Sequence, residues 1–344
     1  MQLQCRFDAL SWLSFAAACA LALNIWKRRR RTTENCVPRS LSLKSLQTPA
    51  VLTGISIGNC LAAWTDEYLA SCFGDGKVSV HVSDTKLLNF ASKNFKYEVM
   101  PFGAFLQRIQ RRNAEFLYYR SQHSKRNKPS SLDALGTFGS DFELPPALLH
   151  PFEMHSTVLR VASTGLCMWL HYDVCDNFLC CIRGCKRVVL FHPDDVGNLY
   201  ISGSSSALGS RLLGGNLLRL WEEFPLAEAA WARRWEAVLH AGDVLFIPAF
   251  WPHCTEALPH ADGASEASVS VNAFVIQRAN KSFHDQKDVW ANRELLPAQD
   301  AVKAMEEKVL PSLTKLPPMA RSFYCKKLAA QLNSTAQGSG ESGG

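Results

Sequence analysis

Leu170-His171-Tyr172-Asp173 is followed by Gly242-Asp243-Val244-Leu245-Phe246-Ile247-Pro248-Ala249-Phe250-Trp251-Pro252-His253, whose histidine stands eighty residues beyond the aspartate. In the first segment His171 and Asp173 stand at i and i+2, so on an extended strand both project from the same side. The second segment is a glycine turn, an apolar strand stopped by proline, and a histidine just beyond it. Two ligands on one strand and a third on a distant strand can meet across a barrel. Two imidazoles and one carboxylate make the facial triad that binds Fe(II) and leaves coordination positions open. Oxygen chemistry needs those openings, two for a chelating keto acid and one for dioxygen.

The surrounding chain supports a barrel. Between Val158 and Phe274, short β-branched runs recur at 158–162, 178–182, 186–191, 243–247 and 268–275, with turns at Gly184, Pro193 and Gly242. Short strands at such spacing predict an antiparallel sandwich or barrel. Residues 202–236, rich in Gly, Ser and Leu and carrying Trp221, Trp231 and Trp235, interrupt the pattern as an insertion. Lys186 falls fifteen residues after His171, on the strand following Gly184. A cation facing into an apolar barrel needs an anionic partner, because an unpaired buried charge is costly. A dicarboxylate cosubstrate would supply one.

Upstream, 77–82 alternates polar and apolar residues as a half-buried strand, 64–69 starts a short helix, and Pro101 opens a helix through Arg112. Downstream, 297–310 and 321–332 are amphipathic helical stretches, suited to a cap or an oligomer seam. The organisation predicted is therefore a hydrophobic and basic extension (1–36), α/β elements flanking the barrel (37–150), the barrel (151–288), carboxy-terminal helices (289–333) and a disordered tail (334–344).

Composition excludes several classes. With 344 residues, 47% hydrophobic and 20% charged, the chain is neither disordered nor a disulfide-stapled miniprotein. The net charge of +6 is concentrated in residues 1–40, which carry seven Lys/Arg against two Asp/Glu, so the remainder is +1 and any nucleic-acid contact must be a local patch. One such patch is 107–128, where Arg108, Arg111, Arg112, Arg120, Lys125, Arg126 and Lys128 face a single acid, Glu115, with Phe116, Tyr118 and Tyr119 between them. The twelve cysteines show no paired CxxC spacing and read as reduced thiols. Residues 9–26 carry no charge and precede Lys27-Arg28-Arg29-Arg30-Arg31. That order fits a cytoplasm-facing membrane anchor, a targeting segment or an inert extension, with the nucleus left open.

Leu170–Asp173, the run Lys186-Arg187-Val188-Val189-Leu190-Phe191 and the 242–253 segment together resemble the JmjC family of Fe(II)/2-oxoglutarate oxygenases, within it the branch that hydroxylates wybutosine in tRNA. The resemblance extends to 92–102 and 316–328, spans about residues 39–332, and is weak across 202–236. It implies a mainly β fold, a double-stranded β-helix of jelly-roll or cupin type with helices outside. It further implies His171, Asp173 and His253 as iron ligands and Lys186 on the distal carboxylate of 2-oxoglutarate. Tyr119 is the hydroxyl donor to that cosubstrate, with the adjacent tyrosine as substitute; Asn177 is a further contact and Asn272 an inward polar position. Dioxygen as co-reactant, ascorbate as supporting reductant, phenylalanine tRNA as partner and a homodimer through the carboxy-terminal helices follow from the same resemblance. A protein hydroxylase or lysine demethylase would share every one of these iron and cosubstrate residues, and a non-enzymatic binding protein could retain the scaffold.

Overall fold

The computed structural model describes residues 36–337 apart from 41, 91, 112–113 and 260–265. The 9–26 segment and most of the 334–344 tail lie outside the described residues. Among those described, no helix is long and apolar enough to cross a membrane. The chain divides into two compact units: one runs up to Arg278 and takes in Val289–Asn292, the other comprises Ala279–Asp288 and the chain from Arg293.

Two sheets build the first unit. The larger has nine strands in the order Arg39–Ser40, Ala50–Leu52, Val244–Ile247, Asp176–Arg183, Ala267–Gln277, Phe152–Ser163, Phe116–Arg120, Lys77–Ser83 and Lys96–Pro101. The smaller runs Ile201–Ser202, Ser205–Ser206, Cys167–His171, His253–Leu258, Cys185–Leu190 and Trp235–Leu239, with Leu87–Leu88 beside Cys167–His171. After the Phe152–Ser163 strand the chain passes back and forth between the sheets, which is the double-stranded β-helix expected. Gly184, at φ +85°, turns the corner from Asp176–Arg183 in one sheet to Cys185–Leu190 in the other. That left-handed conformation is one a side chain would strain.

Period-two alternation gives the large sheet two apolar faces. Along Phe152–Ser163, Leu159 and Val161 point outward, into a core with Val269 and Val271 that is covered by the helices Asp66–Phe73 and Phe102–Gln110 through Leu69, Phe102, Phe105, Leu106 and Ile109. Thr65 caps the first of these helices by accepting from the Tyr68 N–H. Between the sheets, Leu179 and Cys181 meet Val188, Leu190 and Leu239, while towards the other end Tyr118 and Ala162 meet Leu166, Met168 and Ala257. The outer face of the small sheet (Leu170, Val189, Phe191, Cys254) is covered by the 202–236 insertion, folded into the helices Arg211–Gly214, Leu217–Glu223 and Pro225–Ala232. Leu212, Leu220, Ala227 and Ala230 fill that third layer, with Trp221 and Trp231 half-buried against it. Each large side chain so buried contributes about 1.5–3 kcal/mol, so the insertion is an integral wall of the barrel.

The ten described cysteines are free thiols, six of them buried. The second unit is helical, with Leu296–Ala304, a π-helical turn Met305–Val309, Leu310–Thr314 and the long helix Pro318–Gln337. Met319, Phe323 and Leu332 on that long helix are exposed.

Candidate functional site

His171 ends the Cys167–His171 strand and His253 opens the neighbouring His253–Leu258 strand; in their antiparallel register the two residues are direct partners. Cross-strand partners share a face, so the imidazole centroids come to 4.6 Å. Asp173 follows in the turn after Tyr172, and its Oδ2 lies 3.7 Å from His253 Nε2. Backbone bonding from the Phe250 N–H to the Asp173 carbonyl (2.9 Å) ties the two turns together. The potential ligand atoms of His171, Asp173 and His253 all lie within 4.8 Å of one another, the spread a single metal ion can bridge.

Hydrogen bonds behind the ligands aim them. His171 Nδ1 lies 2.8 Å from the Trp169 carbonyl and His253 Nδ1 2.9 Å from the Trp251 carbonyl. A carbonyl only accepts, so each Nδ1 carries the proton and each Nε2 keeps its lone pair, the tautomer a metal ligand needs. The Trp169 indole stacks on His171 at 4.5 Å and holds the ring in place. Burial pushes the His171 pKa well below its ordinary value, with His253 adding to the effect, so the imidazole is neutral. Burial raises the Asp173 pKa, opposed by the guanidinium groups of Arg160 and Arg120 among its neighbours.

The triad lies in a pocket between the sheets lined also by Tyr118, Arg160, Leu179, Lys186, Thr255 and Asn272. Lys186 is 7% exposed, and burial lowers its pKa to about 8. It has no carboxylate partner among the described residues. Asn272 Nδ2 donates to Asn177 Oδ1 at 3.2 Å, which leaves Asn177 Nδ2 and Asn272 Oδ1 buried without partners. Asn177 therefore adjoins the pocket through Asn272.

Tyr119 is not brought into this pocket; its neighbour Tyr118 is. The register pairs Tyr118 with Ala162, Arg120 with Arg160, and Tyr119 with Val161. Partners share a face, so Tyr118 points between the sheets and Tyr119 points outward, packed edge-on against Phe102 (5.3 Å) and near Phe105 (6.0 Å). Arg160 was not anticipated. Its signal was a lone arginine at an inward position in the apolar run Val158-Leu159-Arg160-Val161-Ala162. The basic stretch is partly neutralised, since Arg108 pairs with Glu98 (2.5 Å) and Glu115 (2.6 Å) and Arg120 lies over the Trp290 ring. Arg111, Lys125, Arg126 and Lys128 are exposed, and Arg112 lies outside the described residues. A wider open groove, about 1000 Å³, contains Lys128, His150, His155 and Arg278 but none of the triad.

Fold and triad together define a cupin-like barrel of the JmjC type with a two-histidine, one-carboxylate cluster inside it. The model of the cupin-like domain matches residues 42–277, and the chain belongs to that family. Its relatives include tRNA wybutosine-synthesizing protein 5 of Danio rerio, 36% identical over 298 residues that make up 84% of this chain and 86% of the relative. The protein of the same name from Mus musculus is 33% identical over 298 residues, 84% of this chain and 89% of the relative. tRNA wybutosine-synthesizing protein 4 of Emericella nidulans is 34% identical over 312 residues, 90% of this chain but 28% of that longer protein.

Proposed function

We propose that this protein is an Fe(II)- and 2-oxoglutarate-dependent dioxygenase that hydroxylates the side chain of a wybutosine precursor in phenylalanine tRNA. The observation that carries the chemistry is the triad, part-buried between the sheets, beside Lys186, a buried cation with no carboxylate partner among the described residues. Support for the substrate comes from the relatives, animal and fungal, whose names place them in wybutosine synthesis.

The donor set fits the metal. Two neutral imidazoles present Nε2, one carboxylate supplies the single negative charge, and three protein ligands leave room for more. The pocket also fits the cosubstrate, since a dicarboxylate would neutralise Lys186 and give the orphaned amide atoms of Asn177 and Asn272 a polar neighbour. Iron with 2-oxoglutarate supplies the oxidation: one atom of dioxygen goes to the substrate C–H, the other to succinate, and carbon dioxide leaves. The chain's own residues do the positioning. His171, Asp173 and His253 hold the metal, Lys186 anchors the far carboxylate, Tyr118 offers its hydroxyl from the opposite sheet, and the apolar layers on both sides exclude water. The exposed Arg111, Lys125 and Arg126 lie on the segment that leads into the Phe116–Arg120 strand or follows it, and are suited to phosphate contacts around the mouth. A pairing of two copies through the exposed Met319, Phe323 and Leu332 belongs to the same reading.

The test is nucleoside mass spectrometry of phenylalanine tRNA bearing the unhydroxylated side chain, incubated with the protein, Fe(II), ascorbate, 2-oxoglutarate and oxygen. A product heavier by one oxygen atom, absent with His171→Ala, is expected. Conversion of 2-oxoglutarate to succinate with the tRNA unchanged would overturn the substrate. Absence of both from metal-loaded protein would overturn the enzyme.

A further inference from the structure

A row of aromatic rings runs from the triad to the protein surface. Trp169 stacks on His171 at 4.5 Å and meets Phe90 at 4.4 Å. Phe90 in turn contacts Phe95 at 4.7 Å and His81 at 5.1 Å. His81 and Tyr97 are cross-strand partners on Lys77–Ser83 and Lys96–Pro101, with ring centroids 4.7 Å apart. Tyr97 ends the row on the edge strand of the large sheet, 60% exposed. Every step is an ordinary ring-to-ring contact.

Packing alone does not account for the two ends. Filling this part of the core asks only for apolar volume, which phenylalanine supplies at 90 and 95. At the ends stand instead the two aromatic types that give up an electron most readily, a tryptophan against a triad histidine and a tyrosine in solvent. The indole is fixed, since Trp169 Nε1 donates to Ser205 Oγ at 3.1 Å. His81 is buried, and its Nδ1 donates to the Tyr118 carbonyl at 3.1 Å. Burial lowers its pKa to about 4, so the ring is neutral and sets no positive charge along the row. Tyr118 also lies near, 5.3 Å from His81, but Arg160 Nη1 donates to its hydroxyl at 2.5 Å. An arginine cannot take the phenolic proton, and its charge opposes removal of an electron, so Tyr118 is a poor stop for an oxidising equivalent.

We infer that Trp169, Phe90, His81 and Tyr97 form a path that carries oxidising equivalents away from the metal site when no substrate takes them, and that Tyr97 is where a water-soluble reductant of the ascorbate class delivers electrons. This rests on the oxygenase reading above and adds a protective activity to it. When 2-oxoglutarate is split to succinate and carbon dioxide with no C–H to oxidise, two oxidising equivalents and one oxygen atom are left at the site. Trp169 gives up one electron and is refilled, through the ring contacts of Phe90 and His81, by Tyr97, whose phenol releases its proton to water. The tyrosyl radical takes a hydrogen atom from the reductant, which leaves as its own radical. Two such passages, with two protons from water, restore the ferrous state and release the oxygen atom as water. Without the path the nearest oxidisable side chain is consumed, and Met168, a thioether lining the pocket, is at hand.

The test uses the full chain with Fe(II), 2-oxoglutarate and oxygen, without RNA and with a nitrone spin trap. Trapped radicals are located by peptide mass spectrometry, and succinate is measured in the same samples. Mn(II) with N-oxalylglycine, an inert mimic of the cosubstrate, gives the baseline. The wild-type protein should carry the trap on Tyr97 above baseline but not on Tyr324, which is also exposed, and ascorbate should erase the adduct. Trp169→Phe, which keeps a ring against His171, should lose the Tyr97 adduct when compared at equal succinate formed. Tyr97→Phe should form succinate as wild type does and accumulate more Met168 sulfoxide for each succinate. Equal labelling of Tyr97 and Tyr324, or a Tyr97 adduct that survives in Trp169→Phe, would mean that radicals arrive through solvent and overturns the path. Unchanged Met168 oxidation in Tyr97→Phe overturns its protective role. Succinate without a Tyr97 adduct discards the path and keeps the oxygenase, whereas no succinate from metal-loaded protein discards the oxygenase and the path with it.

Discussion

Replacing Lys186 by methionine should stabilise the empty protein and abolish its response to cosubstrate. Lys186 is 7% exposed, and burial brings its pKa from the ordinary 10.5 down to about 8. A tenfold change in proton affinity is about 1.4 kcal/mol, so holding this group charged at pH 7 costs about 3 kcal/mol relative to the unfolded chain. Methionine keeps the length of the stem and removes the charge, so most of that cost is recovered. In a domain of this size the gain corresponds to a rise in Tm of roughly 6 °C. The sign with pH follows from the lowered pKa. Between about 8 and 10.5 the unfolded chain binds the proton more tightly than the folded one, so wild-type stability rises with pH across that window. The advantage of Lys186→Met is therefore full below about pH 8 and fades towards 10.5. With Mn(II) already present, adding N-oxalylglycine should raise the wild-type Tm further and leave that of the variant where Mn(II) alone puts it, because the variant lacks the cation that holds the distal carboxylate. Scanning fluorimetry at pH 7 and pH 10, with and without the mimic, reads all of this. A variant that melts several degrees below wild type in the empty form would refute the reasoning, since Lys186 would then have a stabilising partner without cosubstrate.

Three further outcomes follow from the geometry. His171→Ala should lose more than about 100-fold in Mn(II) affinity by calorimetry, because the remaining pair cannot complete the facial set; an unchanged affinity would place the metal elsewhere. Tyr118→Phe should weaken N-oxalylglycine about tenfold, the loss of one hydrogen bond, while Tyr119→Phe, altered in the outer core, should bind it as wild type does and stay within about 1 kcal/mol of wild-type stability; the reverse ranking would mean the strand faces are assigned wrongly. Neutralising Arg111, Lys125 and Arg126 should weaken tRNA binding and flatten its salt dependence by about one unit of log–log slope for each phosphate no longer neutralised; equal slopes for variant and wild type would remove the patch from the interface.

The barrel and the triad were legible in the sequence because both depend on local rules. The glycine turn, apolar run and proline stop of 242–248 bound a strand by local chemistry, and His171-Tyr172-Asp173 sets two candidate ligands two residues apart. The Tyr118/Tyr119 choice was not legible. Both lie in an unbroken apolar run, Phe116-Leu117-Tyr118-Tyr119, and only the cross-strand register with Ala162 and Val161 decides which ring faces the triad. The insertion 202–236 was opaque for a related reason: its helices are short, at four, seven and eight residues, and owe their stability to the small-sheet face they cover. Composition also overstated the basic stretch, because Arg108 is held by Glu115 within it and by Glu98 on the preceding strand, outside the counted window.

Arg160 shows how a site of this kind divides its work between the sheets. The three triad residues all come from the small sheet and the turns at its end, where antiparallel pairing sets His171 opposite His253 and the register shifts immediately afterwards, between His253 and Thr255. The extra residue lies on the Cys167–His171 strand, so Met168 and His171, three residues apart, both line the pocket while His253, Thr255 and Ala257 keep strict alternation. Arg160, Tyr118 and Asn272 come from the large sheet, on adjacent strands whose pairing keeps a constant register through these residues. The two sides meet with charges of opposite purpose: carboxylate and imidazoles to hold a cation on one, guanidinium and hydroxyl to receive an anion on the other. Lys186 belongs to the small sheet but has only Arg160 and a thiol among the charges acting on it. Two cations left unmatched in one enclosure are unfavourable for the empty protein, and they persist for what enters. A barrel selected for stability alone would carry methionine or leucine at both positions, so the pair is best understood as fitted to anionic ligands.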